Sequence, residues 1–370
     1  MKYGIDINAL TREKRTGVER YVFLLLSKMM KVQLHEDEEV VLYASKHVDD
    51  IVTPHGWRER ILNWVLPKGW THGRLSAELI TRPPDVFFTP AHEIPKWFRK
   101  TKIVTAIHDV AFRFHPELYS ARQRRRQEWA VRRAVKYADA LITVSETTKK
   151  DLVELYRVDA SKIHVTPLAV DASRFDVEGE RISEVLDRYA LSGKKYLLSV
   201  GRIESKKNIG TLLRAFDAYK RAEVDSDLQL VLVGGLGEGA HRVLCELDSL
   251  DYKDSVKLLG YVADGEVESL YRGAAAYVFP SWYEGFGLPV LEAFAAKVPL
   301  LASDIPALRE VAGDAAVFAR PDSVEEWTRG LRDVLSQGEV KVQKGIRRLE
   351  EFSWERTARQ TWEVLRSVKK

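Results

Sequence analysis

Cysteine is all but absent: Cys245 stands alone in 370 residues. No disulfide framework can form within the chain, and a reducing compartment is expected. No apolar run approaches the roughly 18 residues that a spanning helix needs. The opening segment, MKYGIDINALTREK, reads as a strand and not as the apolar core of a secretory leader. The expected location is therefore the cytoplasm. No low-complexity segment and no internal repeat of about 20–50 residues is present, which argues against solenoids and propellers. No His/Cys spacing suggests zinc.

What the chain does hold is an ordinary globular composition, 45% hydrophobic and 30% charged. Its length suits two domains. Charge is uneven: residues 1–170 carry 29 Lys and Arg against 21 Asp and Glu, while the remainder carries 29 against 33. A basic front half points to an anionic partner for that half.

Strand and helix patterns alternate along the chain. Strands are expected at Tyr3–Ile7, Glu39–Tyr43, Asp85–Thr89, Lys102–Ile107 and Ala140–Val144. A helix opens at Thr16–Gly17, a long one covers 119–137, and Ser145 can cap another from Glu146. The series restarts with strands at Lys195–Val200, Leu228–Val233, Val256–Leu259, Ala276–Phe279 and Leu300–Ala302, and helices at Asn208–Arg221, Ala240–Leu250 and Leu288–Ala296. Such alternation implies parallel, doubly wound sheets. The polar stretch Asp171–Gly193 is the candidate linker. The last helix, Ser353–Val368, carries Trp354, Trp362 and Leu365 and is expected to fold back across it.

Two strings carry chemistry. In KYLLSVGRIESKKNIGTLLRAF (195–216) a strand ends at Gly201, Arg202 follows, and Lys207 precedes a helix for which Asn208 is a good N-cap. Two cations at the carboxyl end of a parallel strand, beside a helix N-terminus, suit a diphosphate. In FPSWYEGFGLPVLEAFAAKVP (279–299) Glu284 sits in a glycine-rich loop and Glu292 about one turn into the next helix, where Pro289 fits the first turn. One carboxylate can hold hexose hydroxyls and the other ribose hydroxyls. The glycines let the backbone N–H groups of Gly285, Phe286, Gly287 and Leu288 come close to sugar and phosphate.

Together the strings resemble the GT-B glycosyltransferases of family 4, retaining enzymes that use nucleotide sugars. Glu284 and Glu292 match the family's paired glutamates, and Arg202 and Lys207 its phosphate-binding cations. Gly17-Val18-Glu19-Arg20-Tyr21 is similar to its glycine-led helix start, with one glycine where many members have two. Ile107-His108-Asp109, Val144-Ser145-Glu146 and Thr166-Pro167-Leu168-Ala169-Val170-Asp171 also follow the pattern. The resemblance spans essentially the whole chain. It implies two Rossmann-like domains facing across a cleft: an acceptor-binding domain at 1–172, onto which a helix at about 355–370 packs back, and a donor-binding domain at 173–354. It further implies front-face transfer with retention, in which the donor's own β-phosphate takes the acceptor proton. Glu284 and His108 would act on the hexose, His108 through its side chain or its backbone carbonyl. Gly17 would face the phosphates, and Tyr261 and Val262 would meet the base. No cofactor and no metal are expected.

Two patterns mislead. Gly235-Leu236-Gly237-Glu238-Gly239-Ala240 fits a loose dinucleotide fingerprint, but on the second strand of its series and without the ribose-binding acid, so a glycine turn near the nucleotide is the better reading. Asp225-Ser226-Asp227 fits a short metal-binding D-x-D pattern but precedes its strand.

On the helix at 119–137, Arg122, Arg125, Arg126, Trp129, Arg132, Arg133 and Lys136 recur at helical spacing. Trp57, Arg58, Arg60, Trp64, Lys68 and Trp70, and Trp97-Phe98-Arg99-Lys100, mix indole with cations. These surfaces suit an anionic inner membrane face or a lipid-linked acceptor. The motif Phe114-His115-Pro116-Glu117 after the His-Asp step looks similar to mannosyl- and rhamnosyltransferases of surface polysaccharide assembly. This favours GDP-mannose as donor and a glycan or lipid-linked glycan as acceptor, with UDP-sugars and dTDP-rhamnose as alternatives. A nucleic-acid binder lacks any supporting motif, so no nucleic-acid partner is expected. A non-catalytic nucleotide-binding scaffold would not need Arg202, Lys207, Glu284 and Glu292 intact.

Overall fold

The computed structural model describes residues 1–12, 17–66, 68–223 and 226–368. Thr16 and Asp225, named above, lie outside the described residues. The chain divides into two compact units, Met1–Leu168 with Ser353–Lys370, and Ala169–Phe352.

The first unit is built on seven strands: β1 (Lys2–Asp6), β2 (Glu39–Ala44), β3 (Trp57–Ile61), β4 (Val86–Thr89), β5 (Lys102–Ile107), β6 (Ala140–Thr143) and β7 (Ile163–Val165). All pair in parallel, in the order β3-β2-β1-β4-β5-β6-β7. The inner strands are buried on both faces, as Val40–Ala44 and Val86–Thr89 show, which is why they read as continuous apolar runs. The chain leaves β1 toward β2 and later returns to β4 on the other side of β1. The β1/β4 boundary is therefore a topological switch point, where parallel sheets open a crevice at their carboxyl ends.

The helix Trp354–Ser367 belongs to this unit. Its Trp362 is buried edge-on against Tyr3, 5.1 Å between rings, and donates from Nε1 to the Met29 carbonyl at 3.1 Å. Arg366 pairs with Glu38 at 2.7 Å.

The second unit repeats the plan with β8 (Tyr196–Val200), β9 (Gln229–Val233), β10 (Val256–Gly260), β11 (Ala276–Phe279), β12 (Leu300–Ser303) and β13 (Val317–Ala319), in the order β10-β9-β8-β11-β12-β13. Its switch point lies between β8 and β11. Both sheets are the expected α/β, doubly wound class.

Several local expectations change. The stretch Asp171–Gly193 is no bare linker: Gly179–Arg188 is a helix, because Ile182, Val185 and Leu186 make an apolar stripe in a polar segment and Val185 is buried. The long helix is Ala121–Tyr137, started by a capping box between Ser120 and Gln123. Asn208 does not cap the helix Ile209–Ala222 in the ordinary way. It takes a left-handed conformation, φ 51°, accepts from the Thr211 hydroxyl at 2.8 Å and donates to the Pro321 carbonyl at 2.7 Å. Trp57 and Trp70 are not part of a membrane-facing surface. Trp57 opens the edge strand β3 and packs on Trp362, and Trp70 donates into the Leu62 carbonyl; both are buried. Arg58 and Arg60 pair with Glu39 and Glu78 at 2.9 Å. Among the described residues no helix is long and apolar enough to cross a membrane.

Candidate active site

In the second unit the loops after β8, β9 and β11 are laced together by backbone. Ile203 N–H donates to the Gly235 carbonyl, Gly237 N–H to that of Ile203, and Trp282 N–H to that of Lys206, at 2.8–3.0 Å. The glycine run after β9 is thus the brace of the Arg202 loop. Gly234 cannot be replaced there without movement: its φ is 141°, and a Cβ would come 2.0 Å from the Gly201 carbonyl oxygen. Gly201, Arg202, Lys207 and Phe279 line one narrow pocket at the end of β8, beside Ile209 at the start of its helix. Arg202 is exposed and forms no ion pair among the described residues.

Lys207 ends a short turn, Ser205–Lys207. Its Nζ donates to Glu284 Oε1 at 2.7 Å, and the Ser281 hydroxyl donates to the same oxygen at 2.7 Å. Burial pushes the Glu284 carboxyl up, but Lys207 and Lys206 and the two donated hydrogen bonds more than offset it and hold the carboxyl below its ordinary range. Glu284 is accordingly ionised at neutral pH.

Glu292, on the helix Leu288–Ala295, accepts from the Tyr271 hydroxyl at 3.0 Å. Tyr271 stacks on Tyr277 at 4.8 Å, and Tyr277 donates to the Val200 carbonyl at the end of β8. The second carboxylate is therefore tied to the end of the strand that leads into Arg202. Neither Ser281 nor Tyr271 was singled out from sequence, because each is identified only by its partner.

The loop 284–288 offers backbone more than side chain. Phe286 is buried edge-on against Phe352. Gly287 has φ 103° and sits where a Cβ would meet Leu308 at 2.4 Å. Gly285 is buried and Leu288 half-buried. Gly260, joined by its carbonyl to Gly234 N–H at 2.7 Å, leads into Tyr261, which is 71% exposed, and Val262, which is buried.

In the first unit His108 follows β5. Its Nε2–H donates to the Pro90 carbonyl after β4 at 2.8 Å, and its ring lies edge-on to Tyr21 at 4.7 Å. Burial lowers its pKa, so the imidazole is neutral near pH 7. The Thr148 hydroxyl donates to its backbone carbonyl at 3.3 Å. Gly17 opens the helix Gly17–Met29 with free space on its Cβ side.

The basic stripe is the solvent face of Ala121–Tyr137, whose buried side is Ala130, Val131 and Ala134. Arg122 and Arg125 are exposed. Arg126 pairs with Glu93 at 2.9 Å, Arg132 with Glu128, and Arg133 donates to the Pro95 and Lys96 carbonyls. Trp129 is 43% exposed and meets His72 edge-on. Much of the stripe's charge is thus engaged within the unit.

Two family models match the chain: Glycosyltransferase Family 4 over residues 15–174 and Glycosyl transferases group 1 over 185–348. O-antigen chain mannosyltransferase B of Escherichia coli is 28% identical, covering 94% of both chains. O-antigen chain mannosyltransferase RfbU of Salmonella typhimurium is also 28% identical, over 86% of this chain and 87% of its own. Anabaena HepE, solved in complex with UDP-glucose, superposes with a TM-score of 0.75 at 16% identity over the whole of both chains, which shows a shared fold.

The Lys207–Glu284 pair makes a pH-dependent prediction. In Lys207→Ala the buried carboxylate loses its main cation and its pKa rises. The parent's depressed pKa adds stability above the unfolded value, whereas the variant's raised pKa removes it. The stability deficit of the variant should therefore grow from pH 4 to pH 7 in urea denaturation. A deficit constant over that range contradicts the pairing.

Proposed function

Because the chain belongs to the family 4 glycosyltransferases of GT-B fold, we propose that it moves mannose from GDP-mannose, with retention, onto a glycan or lipid-linked glycan. The observation that carries this reading is the meeting of Lys207 and Glu284, with Arg202 exposed nearby, at the carboxyl ends of the adjacent strands β8 and β11. Arg202 and Lys207 hold the diphosphate and neutralise it as it leaves. Glu284 accepts hydrogen bonds from hexose hydroxyls and Glu292 from ribose hydroxyls, while N–H groups of Gly285–Leu288 reach the sugar and phosphate. Tyr261 and Val262 meet the base, and Gly17 lies toward the phosphates.

In the transfer step the acceptor oxygen bonds to the anomeric carbon as the bond to the β-phosphate oxygen breaks. The acceptor proton passes to the departing phosphate. Preformed charge and orientation supply the acceleration. A neutral imidazole and an electron-rich carbonyl at His108 suit a centre on which positive charge develops. Mannose is favoured by the relatives from Escherichia coli and Salmonella typhimurium described above, both of which are named mannosyltransferases.

The reading also places the chain in the cytoplasm, peripherally on the inner membrane face. Exposed Arg122 and Arg125, with Trp129 and Trp97 at 43% and 54% exposure, suit anionic headgroups.

Calorimetric titration with GDP, UDP, ADP and dTDP, without added metal, tests the donor. GDP is expected to bind selectively, and Arg202→Ala to weaken it about tenfold or more, as for a lost charge-assisted contact. Selective binding of UDP or dTDP would overturn the mannose assignment, and undiminished binding in the variant would overturn the site. Flotation with liposomes tests the membrane role. The chain should float with anionic but not neutral vesicles, less so in Arg122→Glu/Arg125→Glu, and failure to float on anionic vesicles at low salt contradicts it.

A further inference from the structure

The sheet of the second unit parts at its switch point. The β8–β11 ladder pairs Ala276 with Leu197 and Tyr277 with Leu198, while β8 runs on to Val200. The phenol of Tyr277 takes over there. Its hydroxyl accepts from Val200 N–H at 3.4 Å and donates to the Val200 carbonyl at 3.2 Å. A hydroxyl on a strand as buried as Ala276–Phe279 is costly unless it is engaged in this way. Tyr271, on the helix Glu266–Gly273, stacks on the Tyr277 ring, and Phe175 meets Tyr271 edge-on at 5.6 Å. Both tyrosines are wholly buried, so close packing leaves neither ring room to turn. Resting on the transferase reading above, in which Glu292 accepts from the ribose, we infer that Tyr271 is a positioning residue for that carboxylate, backed by Tyr277. Together they set the preference for a ribose that has its hydroxyls over one that lacks them.

A glutamate on a helix has three side-chain torsions and ordinarily samples several rotamers. To accept from two adjacent hydroxyls its carboxylate must keep one plane and one distance, and ordering it at the moment of binding costs affinity. Tyr271 orders it beforehand, by donating to Glu292 Oε2 at 3.0 Å. The donor is a lasting one. Burial, and then the charge of Glu292, hold the Tyr271 phenol far above its usual range, and burial does the same for Tyr277. Both therefore keep their protons at neutral pH. Each phenol has a single proton to give, and the two go to different places: that of Tyr271 to Glu292, that of Tyr277 to Val200.

The same contacts set a spacing. Val200 leads through Gly201 into Arg202, assigned above to the diphosphate. Glu292 is thus held from the stretch of backbone that positions the phosphate-binding cation. A ribose between the two is gauged from both ends. An analogue without its hydroxyls keeps the phosphate end and leaves the carboxylate unmatched, which is how a site built to accept from hydroxyls rejects it.

Titration calorimetry on the full chain tests this, with GDP and UDP and the 2′,3′-dideoxy counterpart of each as probes. For the nucleotide that binds, the parent should prefer the ribo form about tenfold or more. Glu292→Ala should bring that ratio close to one. Tyr271→Phe, which keeps the ring and its stack, should lower the ratio about threefold or more by weakening the ribo form while the dideoxy form holds its affinity. Added to Glu292→Ala, Tyr271→Phe should change neither affinity further, because it acts through the missing carboxylate. If Tyr271→Phe does not fold, Tyr277→Phe is read in its place and should lower the ratio in the same direction. If Glu292→Ala collapses the ratio but the tyrosine variant weakens both forms equally, or leaves both untouched, or adds its full effect to Glu292→Ala, the inference is overturned and the transferase reading stands. If the parent binds neither nucleotide, or Glu292→Ala leaves the ratio in place, the assignment of Glu292 to the ribose falls and this inference with it.

Discussion

The ion pair between Lys207 and Glu284 is the point on which the second unit's site depends. It joins the loop after β8 to the loop after β11, two strands that neighbour each other in the sheet but lie 77 residues apart at this contact. An ion pair with side chains 22% and 13% exposed is stabilising only when its geometry is good and its other lone pairs are satisfied. Here Ser281 supplies a second donor and Lys206 a second positive charge. Around it, Gly234 lets the β8 and β9 ends approach, and the Tyr271–Tyr277 stack ties Glu292 to Val200. Lys207, Glu284 and Glu292 are thereby held by contacts that converge on the end of β8 and the loop after it, which also carries Arg202.

The same rule of sheet topology shapes the first unit. Its order reverses between β1 and β4, and a cavity, Asp6 and the Pro90 carbonyl that orients His108 all fall at that boundary. In both units the candidate site residues stand where neighbouring crossovers diverge and leave strand ends uncovered. The glycines, helix starts and short turns of the two strings are local consequences of that placement.

Much of this was legible in the chain because it is local. Strand, glycine, cation and helix follow one another within 195–216, and strand, carboxylate, glycine and helix within 279–299. The alternation of elements sufficed for the fold class. What could not be read depends on contacts far apart in sequence. Trp57 and Trp70 read as surface indoles because the groups that bury them, Trp362 among them, come from elsewhere in the chain. The strand Trp57–Ile61 hides behind alternating charges, as an edge strand can. The partners of Lys207 and Glu292 were invisible for the same reason, and Asn208 looked like a cap until its side chain was seen engaged with Pro321.

In the proposed transfer the second unit holds a sugar nucleotide so that the acceptor attacks from the face the nucleotide leaves. The configuration of the product tests it most directly. With α-linked GDP-mannose as donor, the one-bond C1–H1 coupling of the transferred residue should report an α-linkage in the first product formed. A β-linked product would mean attack from the opposite face and would contradict the account, whatever the nucleotide affinities.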